Sequence, residues 1–232
     1  MTIRDMKGKI ENKIPVNNVI ISCFDKKGLE SFIPSLIEVT DFNIMFMSTG
    51  GTYKKIKELL GNDAEKYLME VAEYTEFPEM EGGLVKTLHP KIHAGILGER
   101  NNPEHQKYLK ETLNNGVYID MVVVNLYPFT EVISNPDATF EKARGNIDIG
   151  GPTMLRAAAK NFPSCAVVSS PCDYDSVLQV IDKNNGCTTF EQRLNLAAKV
   201  FKATAAYDSA IESYFNKNIM ENGNKIKESY FK

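Results

Sequence analysis

The chain has 232 residues, of which 43% are apolar and 25% are charged, and these are the proportions of an ordinary globular domain. They exclude a disordered or fibrous chain, and the length favours one large α/β domain over two smaller ones. The formal net charge of −3 excludes an overall positive field of the kind that holds duplex nucleic acid. We therefore expect no nucleic-acid partner.

The sequence predicts neither a membrane segment nor an oxidising environment. Its first 18 residues are polar and lack the apolar stretch of a signal peptide, and no apolar run approaches membrane-spanning length. The four cysteines show no C-x-x-C spacing and nothing like a zinc module. These features predict a cytoplasmic protein with reduced thiols and no membrane partner.

Segments of strand type alternate with segments of helix type over most of the chain. Apolar runs rich in β-branched residues predict strands at 19–24, 43–48, 119–126 and 165–170, and helices are predicted at 29–39, 52–61 and 103–116. This alternation predicts parallel βαβ units, and hence an α/β fold with an open parallel sheet flanked by helices. The sheet core is predicted at about 18–170.

The last third of the chain has a helical pattern. It runs from Thr189 to about Lys217, with one predicted apolar stripe made by Leu194, Ala197, Ala198, Phe201 and Ala205. We predict a single domain over 1–232, in which a helical extension at about 171–217 follows the sheet core. The polar tail at 218–232 is expected to fray or to lie on a partner.

Polar and glycine-rich segments follow the predicted strands, where parallel sheets bind their ligands. They are SCFDKKG at 22–28, STGGT at 48–52, NLYPF at 125–129 and NIDIGGPTMLRAAAKN at 146–161. The STGGT segment offers two hydroxyls and two glycines before a helix, which favours an anion site, although a plain helix cap is the alternative. It matches neither the Walker loop nor the dinucleotide turn. Lys26 and Lys27 add positive charge nearby, unless they belong to a solvated turn.

The segment VKTLHPKIHAGIL at 85–97 places two lysines and two histidines among apolar residues. His89 and His93 are four residues apart, but no further ligand accompanies them, so a metal site is disfavoured. Lys86 is a candidate for proton transfer or for stabilising an oxyanion, because burial shifts the pKa of a lysine readily. The alternative is a surface lysine whose stem covers apolar atoms.

The segment at 146–161 begins a helix with a glycine pair. Gly150 and Gly151 allow a close backbone approach, and Asp148 stands just ahead of the helix. Arg156 and Lys160 are expected on one helix face, and we interpret Asp148 and Lys160 as a proton-transfer pair in one pocket. A charge pair on a tightly packed helix is the alternative.

Five segments in chain order, STGGT, VKTLHPKIH, VVVNLYPF, NIDIGGPTMLRAAAKN and TAAYDSAI (204–211), resemble the inosine monophosphate cyclohydrolase domain of bifunctional purine biosynthesis proteins. The likeness runs from about Val19 to about Phe215. It implies a methylglyoxal-synthase-like fold and a homodimer. It also implies closure of 5-formamidoimidazole-4-carboxamide ribotide (FAICAR) to inosine monophosphate (IMP), with loss of water and without a metal or other cofactor.

The resemblance also implies functional residues. The catalytic ones are Lys86, Tyr127, Asp148 and Lys160, and the nucleotide-binding ones are Ser22, Lys26, Ser48, Thr49, Gly50, Gly51, Thr52, Thr87, Asn125, Gly150 and Gly151. In the mechanism that we expect, Lys86 polarises the formyl oxygen with support from His89, and Tyr127 donates a hydrogen bond to the developing charge. Asp148 and Lys160 relay the proton of the attacking nitrogen, and the two lysines are interchangeable in these roles.

The chain departs from the family in three side chains and in length. Leu84 stands where an arginine is usual, Lys27 replaces a threonine, and Phe24 replaces a small residue. The family protein continues into a formyltransferase domain, for which this chain has no room. The sequence leaves open whether the chain is a stand-alone cyclohydrolase, served by a separate formyltransferase, or a piece cut at the domain boundary.

Two other functions compete with the cyclohydrolase. A methylglyoxal-synthase-type lyase also grips a phosphate at strand ends, but it would leave the second half of the chain without a role. A regulatory nucleotide-binding module would explain the SCFDKKG and STGGT loops as phosphate contacts, but it would give Lys86, Asp148 and Lys160 no function.

Overall fold

The computed structural model describes residue 6, residues 9–135 and residues 137–231. The described strands are β1 (Lys13–Pro15), β2 (Asn18–Cys23), β3 (Met45–Ser48), β4 (Leu68–Glu70), β5 (Met121–Asn125), β6 (Ala166–Val168) and β7 (Cys187–Thr189). Five of them form a parallel sheet in the order β4-β3-β2-β5-β6. The other two, β1 and β7, pair antiparallel at its side.

Helices make up most of the remaining structure. The α-helices are α1 (Leu29–Val39), α2 (Gly50–Leu60), α3 (Ala64–Tyr67), α4 (Val71–Thr75), α5 (Pro90–Leu97), α6 (Pro103–Lys107), α7 (Phe129–Ser134), α8 (Phe140–Gly145), α9 (Gly150–Lys160), α10 (Tyr174–Lys183) and α11 (Phe190–Tyr230). Short 3₁₀ turns occur at Gly61–Asp63, Glu81–Gly83 and Pro171–Asp173, and a π-helical turn at Tyr108–Thr112 continues α6.

The sheet is central because its strands are apolar on both faces. In β5, the four residues from Met121 to Val124 are all buried, as expected for a strand covered by helices on both sides. The chain moves from β2 through β3 to β4 in one direction and then crosses to β5 and β6 in the other. With right-handed crossovers, α1 and α2 cover one face, and α5 and α9 cover the other. The predicted α/β fold, a parallel sheet flanked by helices, is confirmed.

A buried ion pair fixes the edge of the sheet where the strands begin. The carboxylate of Asp120 is 2% exposed and is paired with the guanidinium of Arg100. It also accepts hydrogen bonds from the backbone N–H groups of Asn17 at 2.8 Å and Asn18 at 2.7 Å. Burial nevertheless raises the pKa of Asp120. These contacts join the starts of the two central strands.

The C-terminal helix differs from the prediction in length and in its buried face. Helix α11 continues to Tyr230, through residues that were expected to fray. Its buried residues are Arg193, Leu196, Ala197, Val200, Thr204 and Tyr207. Of the predicted stripe only Ala197 is buried, and Leu194 and Phe201 are 45% and 43% exposed.

The stripe prediction was wrong because the real buried face contains a charged residue. Arg193 is fully buried, and its guanidinium donates hydrogen bonds to the carbonyl oxygens of Phe162, Pro163 and Thr188, among others. These bonds replace water around the charge, so the helix can bury an arginine. A search for apolar periodicity passes over such a position. Within the described ranges, no helix has the length and apolar character needed to cross a membrane.

Candidate active site

The site lies at the switch point of the sheet, between the carboxyl ends of β2 and β5. Cys23 and Asn125 end these two strands and stand opposite each other in the register. The side chain of Asn125 accepts a hydrogen bond from the N–H of Asp25 at 2.9 Å and donates to its carbonyl at 2.7 Å. Asn125, predicted to bind nucleotide, therefore uses its amide group to hold the SCFDKKG segment beside β5.

The N-terminus of α2 has the features of an anion site. Thr49 is the N-cap residue, and its side chain makes no capping hydrogen bond. The free N–H groups of the first turn, at Gly50 and Gly51, therefore remain available to a ligand. Lys26 lies beside them, since a Cβ atom added at Gly51 would be 3.8 Å from its Nζ. This arrangement does not support the plain helix cap that the sequence left open.

Two predicted binding hydroxyls have partners inside the protein. Ser48 is fully buried and donates to the carbonyl of Ile21 at 2.7 Å, across the β2–β3 pair. The Oγ1 atom of Thr52 accepts from the N–H of Cys23 and donates to its carbonyl, both at 3.0 Å. These bonds fix α2 against the end of β2. Ser22 is half-buried, one residue before that end.

Lys86 reaches the first turn of α2 from a separate loop. Its Nζ lies 2.8 Å from Oε2 of Glu79, and a Cβ atom at Gly50 would be 3.3 Å from the same nitrogen. A Cβ atom at Gly83 would be 3.0 Å from Nζ and closer still to the lysine stem. Two glycines therefore make room for this side chain, and Glu79 provides its counter-charge.

The N-terminus of α9 approaches the same region. A Cβ atom at Gly150 would lie 2.6 Å from Oγ1 of Thr87, the residue after Lys86. Asp148 precedes the helix, and its Oδ1 accepts a hydrogen bond from the N–H of Gly151 at 2.8 Å. Burial raises the pKa of Asp148, and the bond from Gly151 opposes that shift. Lysine, threonine and aspartate thus line one connected region.

Tyr127 and His89 each have a partner inside the protein. The ring of Tyr127 meets Phe24 edge to face, with 4.0 Å between centroids. His89 is the N-cap residue of α5, and its Nδ1 accepts from the N–H of Lys91 at 3.1 Å. In the neutral imidazole this bond puts the proton on Nε2, which is then a hydrogen-bond donor. Burial, together with the charge of Lys91, lowers the pKa of His89.

Lys160 ends α9, ten residues after Gly150, which is about 15 Å along the helix axis. Asp148 precedes the opposite end of this helix. The pairing of Asp148 and Lys160 in one pocket stays a prediction. Arg156 lies on the same helix, with its guanidinium 5.6 Å from the ring centre of Phe201.

Two contacts at the site were missed by sequence reasoning. Glu79 lies seven residues before Lys86, and no local pattern connects them. Tyr207 belongs to the TAAYDSAI segment, which was noticed without a role for its tyrosine. The structure shows that the hydroxyl of Tyr207 accepts a hydrogen bond from the N–H of Asp148 at 2.8 Å. In the described part of the chain, no group of three or more His, Cys, Asp and Glu side chains is arranged for a metal ion.

The departures from the family pattern fall on the exposed rim of the site. Leu84 is 67% exposed and Phe24 is 48% exposed, and Ile149 beside Asp148 is 58% exposed. These side chains border the polar groups described above. The rim is therefore apolar where the family usually has a guanidinium.

Comparison with known proteins places the two halves of the chain. Residues 29–153 match the family model of the MGS-like domain, and residues 158–232 match that of the AICARFT/IMPCHase bienzyme. A bifunctional purine biosynthesis protein PurH of Leptospira biflexa serovar Patoc (strain Patoc 1 / Ames) is 45% identical over 89% of this chain and 38% of its own length. The PurH of Chlorobium phaeobacteroides (strain BS1) is 45% identical over 86% of this chain and 36% of its own length.

A solved structure agrees with these matches. The crystal structure of ForH superposes with a TM-score of 0.69 and is 30% identical, over 86% of this chain and 98% of that chain. The chain spans 38% of the length of the Leptospira relative. It belongs to the MGS-like domain family, and its residues 158–232 resemble the AICARFT/IMPCHase bienzyme.

Proposed function

We propose that the protein acts in purine biosynthesis and closes FAICAR to IMP with loss of water. The observation that carries this proposal is the convergence, at one sheet edge, of an anion site, a lysine and a carboxylate. Lys26 and Lys86 approach the first turn of α2, and Thr87 links Lys86 to the start of α9 beside Asp148. A nucleotide that is anionic at one end and reactive at the other suits this layout.

The phosphate of the substrate would bind at the N-terminus of α2. Gly50 and Gly51 begin this helix, where the first N–H groups have no partner within the helix and the helix dipole favours negative charge. The ammonium of Lys26 lies beside Gly51 and adds a counter-charge. The apolar side chains of Phe24 and Ile149 then offer a surface for a flat heterocycle.

Ring closure requires the carboxamide nitrogen to attack the formyl carbon of the same molecule. The new C–N bond turns the formyl oxygen into an alkoxide, and the nitrogen must lose a proton. We assign stabilisation and protonation of this oxygen to Lys86, which Glu79 holds in place. We assign removal of the nitrogen proton to Asp148. The carbinolamine then loses its hydroxyl together with the proton of the former formamide nitrogen as water, and the C=N double bond of the ring forms between that nitrogen and the former formyl carbon.

Binding also contributes by selecting a conformation. The reaction is intramolecular, so the enzyme gains by holding the carboxamide with its nitrogen towards the formyl carbon. Tyr127 and the Nε2–H of His89 are each able to donate a hydrogen bond to substrate oxygens. Lys160, at the far end of α9 from Asp148, stays a prediction from the family resemblance.

Several other features of the proposal depend on the family resemblance. They are the homodimer, a formyltransferase as partner and a cytoplasmic location. No residue of the proposed reaction requires a metal or other cofactor, since Lys86 and Asp148 supply both proton-transfer groups.

The test is turnover of FAICAR by the purified chain, followed by ultraviolet absorbance with a metal chelator present. We expect IMP to form, and we expect Lys86→Met and Asp148→Asn to lower kcat far more than they raise KM. Calorimetry with IMP is the matched binding measurement. If the folded wild-type chain binds IMP but does not turn over FAICAR, the proposal is wrong and a regulatory binding module replaces it.

A further inference from the structure

Helix α11 contacts the candidate catalytic carboxylate through one side chain. The Tyr207 hydroxyl accepts the N–H of Asp148 at 2.8 Å, although the two residues are 59 positions apart. Tyr207 is 9% exposed, so water has little access to replace this bond. A buried N–H that loses its acceptor is costly, and this gives the single hydroxyl a strong hold on the backbone.

The bond completes a two-point attachment of Asp148. Its backbone N–H is held by Tyr207, and its Oδ1 is held by the N–H of Gly151 at 2.8 Å. Within the described residues Oδ2 receives no hydrogen bond. Fixing both ends of a short side chain leaves one oxygen in a defined direction, which is the requirement for a positioned base.

The ring of Tyr207 is itself held by the segment that carries Tyr127. It packs against Phe129 with 6.3 Å between centroids and an interplanar angle of 71°. Phe129 is 1% exposed and also packs against Tyr214 of α11, with 5.6 Å between ring centroids. The phenol therefore joins two parts of the site, the Asp148 turn and the NLYPF segment, to α11.

The hydrogen bond between Tyr207 and Asp148 joins the two segments of the chain that match different family models. Asp148 falls within residues 29–153, which match the MGS-like domain, and Tyr207 falls within residues 158–232, which match the bienzyme family. We infer that Tyr207 is a positioning residue, and that α11 serves the reaction by fixing the backbone and carboxylate of Asp148. This inference depends on the proposed function for its kinetic consequence, but not for the contact itself.

The first experiment measures the contact without any substrate. Tyr207→Phe keeps the ring and removes the acceptor, and Tyr214→Phe removes a hydroxyl from the same aromatic cluster as a control. Hydrogen exchange followed by mass spectrometry should show at least about tenfold faster exchange of the Asp148 amide in Tyr207→Phe alone, since a lost hydrogen bond of about 1.4 kcal/mol corresponds to a factor of ten. Unchanged exchange at Asp148 would overturn the inference, even in a chain without cyclohydrolase activity.

The second experiment asks whether the phenol acts through Asp148. In a chain that turns over FAICAR, Tyr207→Phe should lower kcat about tenfold and change KM less than threefold, with Tyr214→Phe equal to wild type. In an Asp148→Asn background, Tyr207→Phe should have no further effect, because residues that act as one unit are not additive. An equal loss in both backgrounds would show an independent or purely structural role. A wild-type chain without turnover would refute the proposed function, while hydrogen exchange would still decide the inference.

Discussion

Replacing Gly151 by alanine should lower kcat without lowering the stability of the fold. The Cβ atom of alanine would lie 3.0 Å from Cγ of Asp148, closer still to Oδ2, and 3.0 Å from Cδ2 of Leu126. Ordinary contacts begin near 3.4 Å. The carboxylate must therefore retreat by roughly 0.5–1 Å, away from the position that the N–H of Gly151 gives it.

The size of the kinetic effect follows from that displacement. A misplacement of about 1 Å costs about 100-fold in rate. A displacement of the carboxylate by roughly 0.5–1 Å therefore predicts about a 10- to 100-fold loss of kcat. This corresponds to about 1.4–2.7 kcal/mol of transition-state stabilisation. The phosphate end of the site is untouched, so KM should change by less than about threefold.

Stability should respond in a different way. Gly151 lies in the first turn of α9 without a positive φ, so alanine suits its backbone and favours the helix by about 0.5–1 kcal/mol. The strain against Leu126 offsets this gain. We expect the free energy of unfolding in urea to stay within about 1 kcal/mol of wild type.

The assay combines steady-state turnover of FAICAR with urea unfolding of the same preparations. Gly223→Ala is the matched control, because Gly223 lies in α11 with no atom within 4 Å of its added Cβ. That variant should keep kcat and KM. Full activity of Gly151→Ala, at wild-type stability, would refute the assignment of Asp148 as the base. A loss of several kcal/mol of stability would instead show that packing, not the carboxylate, governs this glycine.

Three further predictions test separate parts of the site and fold. Lys26→Met should raise KM about tenfold, equivalent to about 1.4 kcal/mol, and leave kcat unchanged, because it removes a counter-charge from the anion site. An unchanged KM would mean that the phosphate binds elsewhere. The fall of kcat towards low pH should have its midpoint above pH 3.8, the ordinary pKa of an aspartate, because burial raises the pKa of Asp148 and the base must be deprotonated to act. This fall should be absent from the residual activity of Asp148→Asn. Arg100→Met should lower the free energy of unfolding by about 3–5 kcal/mol, since it leaves the buried carboxylate of Asp120 without its partner, and KM should not change at this remote edge.

The sequence predicted four of the five parallel strands because they carry a strong local signal, and it missed the short edge strand β4. Runs such as MVVVN are apolar on both faces and β-branched, and they fold as buried parallel strands wherever helices cover them. The same logic predicted that the polar segments after the strands meet at one sheet edge, and the structure brings Lys26, Lys86 and Thr87 close to the glycines of α2 and α9. The sequence did not predict the direction of individual side chains. The hydroxyls of Ser48 and Thr52 turn inward to bond the backbone, which residue type alone does not reveal.

Long-range partners account for two features that the sequence did not predict. Tyr207 contacts Asp148 because α11 packs on α9 and β6, and the local sequence around either residue does not predict that contact. The apolar stripe of α11 was misplaced because Arg193 is buried by hydrogen bonds that only the folded chain supplies. The pairing of Asp148 with Lys160 stays a prediction, and the eleven residues of α9 separate its two ends by about 15 Å.

Three glycines of the site leave space for the charged side chains of Lys86 and Asp148. From the sequence, Gly50 and Gly151 suggest only a close backbone approach to a ligand, and Gly83 carries no prediction. In the structure each of these glycines also lies against a charged side chain of the protein, Lys86 for Gly50 and Gly83, and Asp148 for Gly151. A side chain at Gly83 or Gly151 would collide with that group, and one at Gly50 would make a tight contact with the Nζ of Lys86. The same glycines that open the backbone to an anion therefore also fix the path of the lysine and the position of the carboxylate, so binding and chemistry are built from one set of backbone clearances.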